Sequence, residues 1–327
     1  RGTDSIKFDF AAEHGYDPNI LPLWVADMDF ATAPFIVEAI QKRCENPVLG
    51  YTSKPDSYFN AIIHWVMMRY EMKVEKEMIQ FVPGIVPGIG MAMNALTKEG
   101  DKVLVQPPVY HPFRLIPQKN GREGVFNPLK EKPDGGYEMD FDNLESIIDE
   151  RCKVLILANP HNPAGIVWGK ATLQQLADIA VKHNLLVISD EIHCDMALKG
   201  FKHVPFASVS EEAKNCCITF MAASKTFNIA GLKSSYHIIQ NEEIRNRYNA
   251  FLRKSELDTA HVFATGPVAT AYEGGDEWLA QMLEYVEGNI DFMEQYLKDN
   301  MPKMGMIRPQ ASFLVFLDAR GLGLPHD

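Results

Sequence analysis

The sequence predicts an α/β protein built on a mainly parallel sheet. Between about residues 80 and 240, short continuous Val/Ile/Leu runs alternate with amphipathic stretches. Helices of ~10–15 residues between strands are what βαβ crossovers require. The runs themselves, KVLILA at 153–158 and LLVIS at 185–189 above all, lack polar alternate positions. Strands of that kind are buried on both faces.

Taken in order, residues 34–43 (PFIVEAIQKR) form a short helix opened by a proline. Residues 78–82 form a strand and 88–97 (GIGMAMNALT) a helix. A strand follows at 102–106 (KVLVQ), a helix at 141–150 and a strand at 153–158. Then come a helix at 172–183, strands at 185–189, 216–221 and 235–239, a long amphipathic helix at 276–300 and a strand at 312–318 (SFLVFLD). The expected division is a large domain at 46–260 and a smaller one from both termini, 1–45 and 261–327. The chain stops soon after the 312–318 strand, so the C-terminal part of the smaller domain is expected to be incomplete.

Composition narrows the function. Of 327 residues, 46% are hydrophobic and 23% charged, enough for a sizeable core and unlike a disordered chain. No apolar run approaches the ~20 residues of a membrane helix. The net charge of −11, without a Lys/Arg cluster, argues against nucleic-acid binding. The polar start, Arg1-Gly2-Thr3-Asp4, has no apolar signal core. The five cysteines form no C-x-x-C pair, which fits neither a disulfide framework nor a metal site. A reducing cytoplasm is the expected setting.

Four polar features sit at strand ends, where an open α/β sheet binds its ligand. Asp190 ends LLVIS; it is either a helix cap or a buried carboxylate that keeps a partner nitrogen protonated. Lys225, in Ser224-Lys225-Thr226, stands among small and apolar residues. A lysine after a strand is usually exposed, but desolvation there lowers its pKa and makes the amine nucleophilic. Pro83-Gly84-Ile85-Val86-Pro87-Gly88 joins a strand to a helix, as a simple turn or as a phosphate cup. Asn159-Pro160-His161-Asn162-Pro163-Ala164-Gly165 is turn-like, yet carries two asparagines and a histidine, and Asn162 is suited to a ligand oxygen. A phosphate cup, a nucleophilic lysine, a carboxylate and an amide donor together match the needs of pyridoxal 5′-phosphate. The alternative is a nucleotide-binding α/β protein using the glycine-rich loop, which leaves Lys225 unexplained.

These motifs resemble the fold-type I pyridoxal-phosphate enzymes, the aspartate aminotransferase superfamily. More narrowly, the chain is similar to the MalY/PatB-like cystathionine β-lyase (C–S lyase) branch. The matching segments are 21–30 (LPLWVADMDF), 83–88, 159–165 (NPHNPAG), 189–195 (SDEIHCD) and 224–232 (SKTFNIAGL). The resemblance implies that Lys225 condenses with the cofactor aldehyde and moves the substrate α-proton, and that Asp190 pairs with the pyridine nitrogen. It implies that Tyr110 stacks on the ring, while Asn162 and His193 face its phenolic oxygen. The backbone of Ile85 and Val86 and the hydroxyl of Ser224 would hold the phosphate, with Lys233 where many members place an arginine. Tyr51 would reach a neighbouring subunit's phosphate, implying a homodimer with shared sites. Ala26 or Asp27 would lie, with Asn162, near the amino-acid substrate. The implied reaction is β-elimination from cystathionine, cystine or a cysteine S-conjugate. The alternatives are a class I/II aminotransferase and a regulatory protein with lyase side activity. One departure stands out: no residue matches the family's arginine for the substrate α-carboxylate, since Arg308 and Arg320 sit in another context.

Overall fold

The structure, a computed structural model, describes residues 2–10, 13–17, 19–133 and 135–324. A seven-stranded sheet forms its centre. Its strands are β1 (Ile79–Val82), β2 (Lys102–Val105), β3 (Glu123–Phe126), β6 (Cys152–Ala158), β7 (Leu186–Asp190), β8 (Cys217–Met221) and β9 (Ser235–Ile238). Two small antiparallel ribbons lie outside it: β4 (Lys130–Glu131) with β5 (Tyr137–Glu138), and β10 (Gly305–Ile307) with β11 (Phe316–Asp318). Across the main sheet the order is β1-β9-β8-β7-β6-β2-β3. β3, β2, β6, β7 and β8 pair in parallel, whereas β9 runs against both of its neighbours. The mainly parallel sheet expected from the sequence is therefore present, and every strand but β9 points its carboxyl end the same way.

Among the described residues eleven α-helices accompany the strands: α1 (Pro34–Cys44), α2 (Asp56–Tyr70), α3 (Ile85–Leu96), α4 (His111–Lys119), α5 (Phe141–Ile147), α6 (Lys170–Lys182), α7 (Glu211–Asn215), α8 (Ala223–Thr226), α9 (Glu242–Lys254), α10 (Gly266–Gly274) and α11 (Asp276–Asn300). Alternation along β6 shows why the sheet is covered twice. Leu155 and Leu157 join one apolar cluster with residues of α2, α6 and α10, while Val154 and Ile156 join another with residues of α3, α4 and α9. Successive side chains of a strand point to opposite faces, and each buried Leu, Ile or Val contributes about 1.5–3 kcal/mol.

Three elements differ from expectation. α3 starts at Ile85 rather than at residue 88, because Gly84 takes φ 111° as its N-cap and Pro87 falls in the first turn, where no backbone N–H is needed. α5 ends at Ile147, since Ile148 is already extended. The 312–318 strand shrinks to Phe316–Asp318: Ser312 is left-handed at φ 78°, and its amide donates to Met196 O. Conversely, α2, α4, α9, α10 and β3 arise where no element was expected.

Gly88 lets α3 approach the sheet. A Cβ there would lie 2.6 Å from Cε1 of the buried Phe220 ring on β8. Gly88→Ala is expected to destabilise the chain by about 1–3 kcal/mol through overpacking, read as a lower thermal midpoint.

Candidate active site

Five of the strands that share a direction, β1, β2, β6, β7 and β8, deliver one feature each at their carboxyl ends. Gly84 and the start of α3 follow β1, Tyr110 follows β2 and Asn162 follows β6; Asp190 ends β7 and Lys225 follows β8. Their side chains and backbone meet in a cavity of about 570 Å³, lined among others by Ala26, Ile85, Val86, Tyr110, Asn162, Asp190, His193 and Lys225. The loops are tied to one another. The Tyr110 amide donates to Asn162 O at 2.9 Å, and the amides of Gln310 and Ala311 both donate to Gly165 O, at 2.8 and 3.0 Å. Gly165 itself needs to be glycine: its φ is 65°, and a Cβ would meet Pro309 at 2.6 Å.

Lys225 lies in the single turn α8, and its neighbours Ala223, Ser224 and Thr226 are buried. Its side chain is 20% exposed; Nζ donates to Ala26 O at 2.5 Å and stands 3.8 Å from Asp27 Oδ1. Burial pulls the amine below the usual lysine range, and Lys233 adds to this, while Asp27 and Asp190 oppose it. Asp190 is buried and accepts the Ile192 amide at 3.0 Å. Burial pushes its carboxyl up to about 7, with the Ile192 hydrogen bond acting against the shift.

His193 is buried, and its Nδ1 has no hydrogen-bond partner. Burial, reinforced by Lys225, pulls it down to about 3, so the ring is neutral near pH 7. Tyr110 caps α4, half-exposed and edge-on to Phe113 with ring centres 5.6 Å apart. Burial, then Asp190, raises its phenol. The amides of Ile85 and Val86 open α3, where helix N–H groups lack intrahelical partners and attract anions.

Four expected site residues do not line the cavity. Ser224 is buried beside Lys225, and Asp27 reaches the cavity only through Lys225. Lys233 is exposed, in a left-handed conformation at φ 48° that closes a short 3₁₀ turn. Tyr51 is fully exposed, so within one chain it stays outside the site. Arg308 pairs with Asp291 and Glu294, and Arg320 with Asp318 and Glu131, so neither guanidinium enters the cavity.

Sequence reasoning missed two supporting residues. Buried Asp195 accepts hydrogen bonds from Trp65 Nε1 and Thr226 Oγ1, each at 2.9 Å, and from the Tyr70 hydroxyl. It thereby ties the Lys225 turn to α2. Asn228 grips the backbone of Met28 and Phe30. Only the motifs 189–195 and 224–232 as wholes pointed to them.

The donor set fits the cofactor that the resemblance implies. A partly desolvated amine, a buried carboxylate, an unpartnered imidazole nitrogen and free helix-start amides converge on one cavity. Comparison with known proteins agrees. Residues 18–323 match the family described as aminotransferase class I and II. Cystathionine beta-lyase PatB of Bacillus subtilis is 41% identical over 99% of this chain and 84% of its own length. A pyridoxal-phosphate-bound protein of Clostridium difficile 630, assigned provisionally as an aminotransferase, superposes with a TM-score of 0.95 at 41% identity, over 98% of this chain and 83% of that one. Cystalysin of Treponema denticola, which contains pyridoxal 5′-phosphate, superposes with a TM-score of 0.95 at 32% identity, over 99% and 83%. With a match over most of its length and relatives this close, the chain belongs to the class I and II aminotransferase family.

Proposed function

We propose that this chain is a pyridoxal 5′-phosphate-dependent carbon–sulfur β-lyase, cleaving cystathionine or a related cysteine S-conjugate to a thiol, pyruvate and ammonia. The single observation that carries the reading is the meeting of the Lys225 amine and the buried Asp190 carboxylate in one cavity. The choice of lyase over aminotransferase follows the similarity to cystathionine β-lyase.

When bound, pyridoxal 5′-phosphate supplies the electron sink that makes loss of the substrate α-proton and of the Cβ thiolate feasible. The chain's own residues do the rest. Lys225 would form the covalent attachment and, once free, take the α-proton on Nζ; burial, by lowering its pKa, favours the unprotonated amine. Asp190 would be the partner of the ring nitrogen, and a cationic partner there would hold the carboxylate ionised despite its burial. The amides of Ile85 and Val86 would hold the phosphate, and the hydroxyl of Ser224, buried beside Lys225, would join them there. Asn162 and neutral His193 would be the partners of the phenolic oxygen, and Tyr110 would pack on the ring. Ala26 and Asp27 border the amino-acid substrate.

A homodimer completes the proposal, with exposed Tyr51 and exposed Lys233 as phosphate ligands, Tyr51 across the interface. No helix among the described residues is long and apolar enough to cross a membrane. Cysteine usage favours the cytoplasm.

Incubation with cystathionine and no keto acid is expected to yield pyruvate and ammonia in equal amounts. A strict requirement for an acceptor keto acid overturns the lyase assignment in favour of transamination. Borohydride reduction of the loaded protein is expected to fix the cofactor on Lys225, read by peptide mapping.

A further inference from the structure

Asn228 sits three residues beyond Lys225 in the left-handed region, at φ 56°. Its side-chain amide donates to Met28 O at 2.9 Å and Phe30 O at 2.8 Å, and its carbonyl oxygen accepts the Met28 amide at 3.1 Å. Thr32 Oγ1 donates to the backbone oxygen of Asn228 at 3.1 Å. Four hydrogen bonds thus fasten residues 28–32, almost 200 positions away in the sequence, to the lysine loop. Just ahead of that clamp lie the two groups nearest the Lys225 amine, Ala26 O at 2.5 Å and Asp27 Oδ1 at 3.8 Å. From the other side Lys7 Nζ donates to Asp27 O, at 2.8 Å, and to Asp29 Oδ1, at 2.8 Å, holding the backbone but leaving the Asp27 carboxylate free to face Lys225.

We infer that Asn228 is a positioning residue for the reactive amine: it fixes the 26–32 strap so that the Ala26 carbonyl and the Asp27 carboxylate together hold the Lys225 ammonium whenever it is not covalently engaged. The inference rests on reading Lys225 as the reactive amine, and it gives Asp27 a task beyond bordering the substrate. A lysine that alternates between bonded and free states needs a defined resting place, or it must be re-oriented at each turnover. A carbonyl and a carboxylate also set how readily the ammonium gives up its proton. The other ionisable groups around the amine are Asp190 on β7, His193 after it, Lys233 beyond the turn, and Tyr110 at the mouth.

The test uses the full chain freed of cofactor, so that it reads the amine itself. Competitive acetylation with acetic anhydride across pH, with Lys225 followed by mass spectrometry, gives the midpoint at which the amine becomes reactive. Removing the carboxylate in Asp27→Asn leaves burial less opposed, so the midpoint is expected to fall by about half a pH unit, the size of a partly exposed ion pair. Asn228→Gly keeps the left-handed backbone and the Thr32 bond to its carbonyl, and deletes the three side-chain hydrogen bonds to Met28 and Phe30. It is expected to lower the midpoint similarly, and the double variant to add nothing further, since both act through one contact. A purely structural Asn228 would lower the thermal midpoint and leave the Lys225 profile where it was; that result, or an unmoved profile in Asp27→Asn, overturns the inference. Should Asn228→Gly fail to fold, Thr32→Val releases the far end of the strap and is read in the same way. Borohydride labelling separates this from the functional reading. Cofactor fixed on a residue other than 225 defeats that reading, whereas labelling at Lys225 with an immovable midpoint defeats only the clamp.

Discussion

Lys225→Ala is expected to bind no cofactor covalently and to lose pyruvate formation by roughly 10⁴-fold, the upper range for a group that transfers protons in the rate-limiting step. The fold should survive, because the side chain is half-buried in a cavity and its hydrogen bond to Ala26 is one contact among many joining the strap to the body. Lys225→Arg sharpens the result. Arginine keeps a positive charge near Asp27 but does not lose its proton at accessible pH. If the residue's task were only to supply charge, the arginine variant would retain much of the activity. If its task is to carry an unshared electron pair, the two variants should be equally inactive. The wild-type profile should show an acid limb as Lys225 protonates, lying below the usual lysine range because burial disfavours the ammonium. Rates of pyruvate release from pH 6 to 10 for the three proteins check all of this.

What was legible in the sequence follows from what each feature depends on locally. β6 and β7 were readable because their burial on both faces leaves no polar alternate position, Asp190 because it ends such a strand, and Lys225 because it stands a few residues past another, β8. α2 was not. Its buried residues, Tyr58, Phe59, Ala61, Ile62, Trp65, Val66 and Tyr70, share one side, but the opposite side carries Ile63, Met67 and Met68 among its polar residues, so the 3.6-residue period fades in the sequence. The 312–318 run failed for the opposite reason. It is apolar enough for a strand, yet Ser312 adopts a left-handed turn and Leu314 faces the cavity, so tertiary contacts override local pattern. Asn228 and Asp195 were invisible because their partners come from α2 and the N-terminal strap, far away in sequence. Tyr110, Asn162, Asp190 and Lys225 line the cavity from strand ends, whereas Ser224, also just past a strand, does not. Nor does Tyr51, whose expected role needs a second chain.

Asp190→Asn is the second large effect, and it separates stability from activity. The amide is nearly isosteric and can still accept the Ile192 hydrogen bond, so the cavity should persist. Removing the negative charge leaves a cationic ring nitrogen without its counter-ion in a dry site, and preorganised charge of this kind is worth about 10²–10³ in rate. Stability should move the other way. Burial raises the Asp190 pKa from 3.8 to about 7 in the folded, cofactor-free chain. Over that window the native state holds a proton that the unfolded chain has released, so stability falls as pH rises. The benefit of the protonated form is complete below the unfolded value and lost as pH climbs through about 7. Asparagine carries no such dependence. Thermal melts of cofactor-free protein should show the variant more stable than wild type at pH 8, with the gap narrowing toward pH 5. With pyridoxal 5′-phosphate bound, the ring cation supplies the missing partner to the wild-type carboxylate, and the order should reverse. A variant that is less stable than wild type in the cofactor-free state at pH 8 would mean that Asp190 is satisfied by groups of the chain itself, and that its burial is not held in reserve for a ligand.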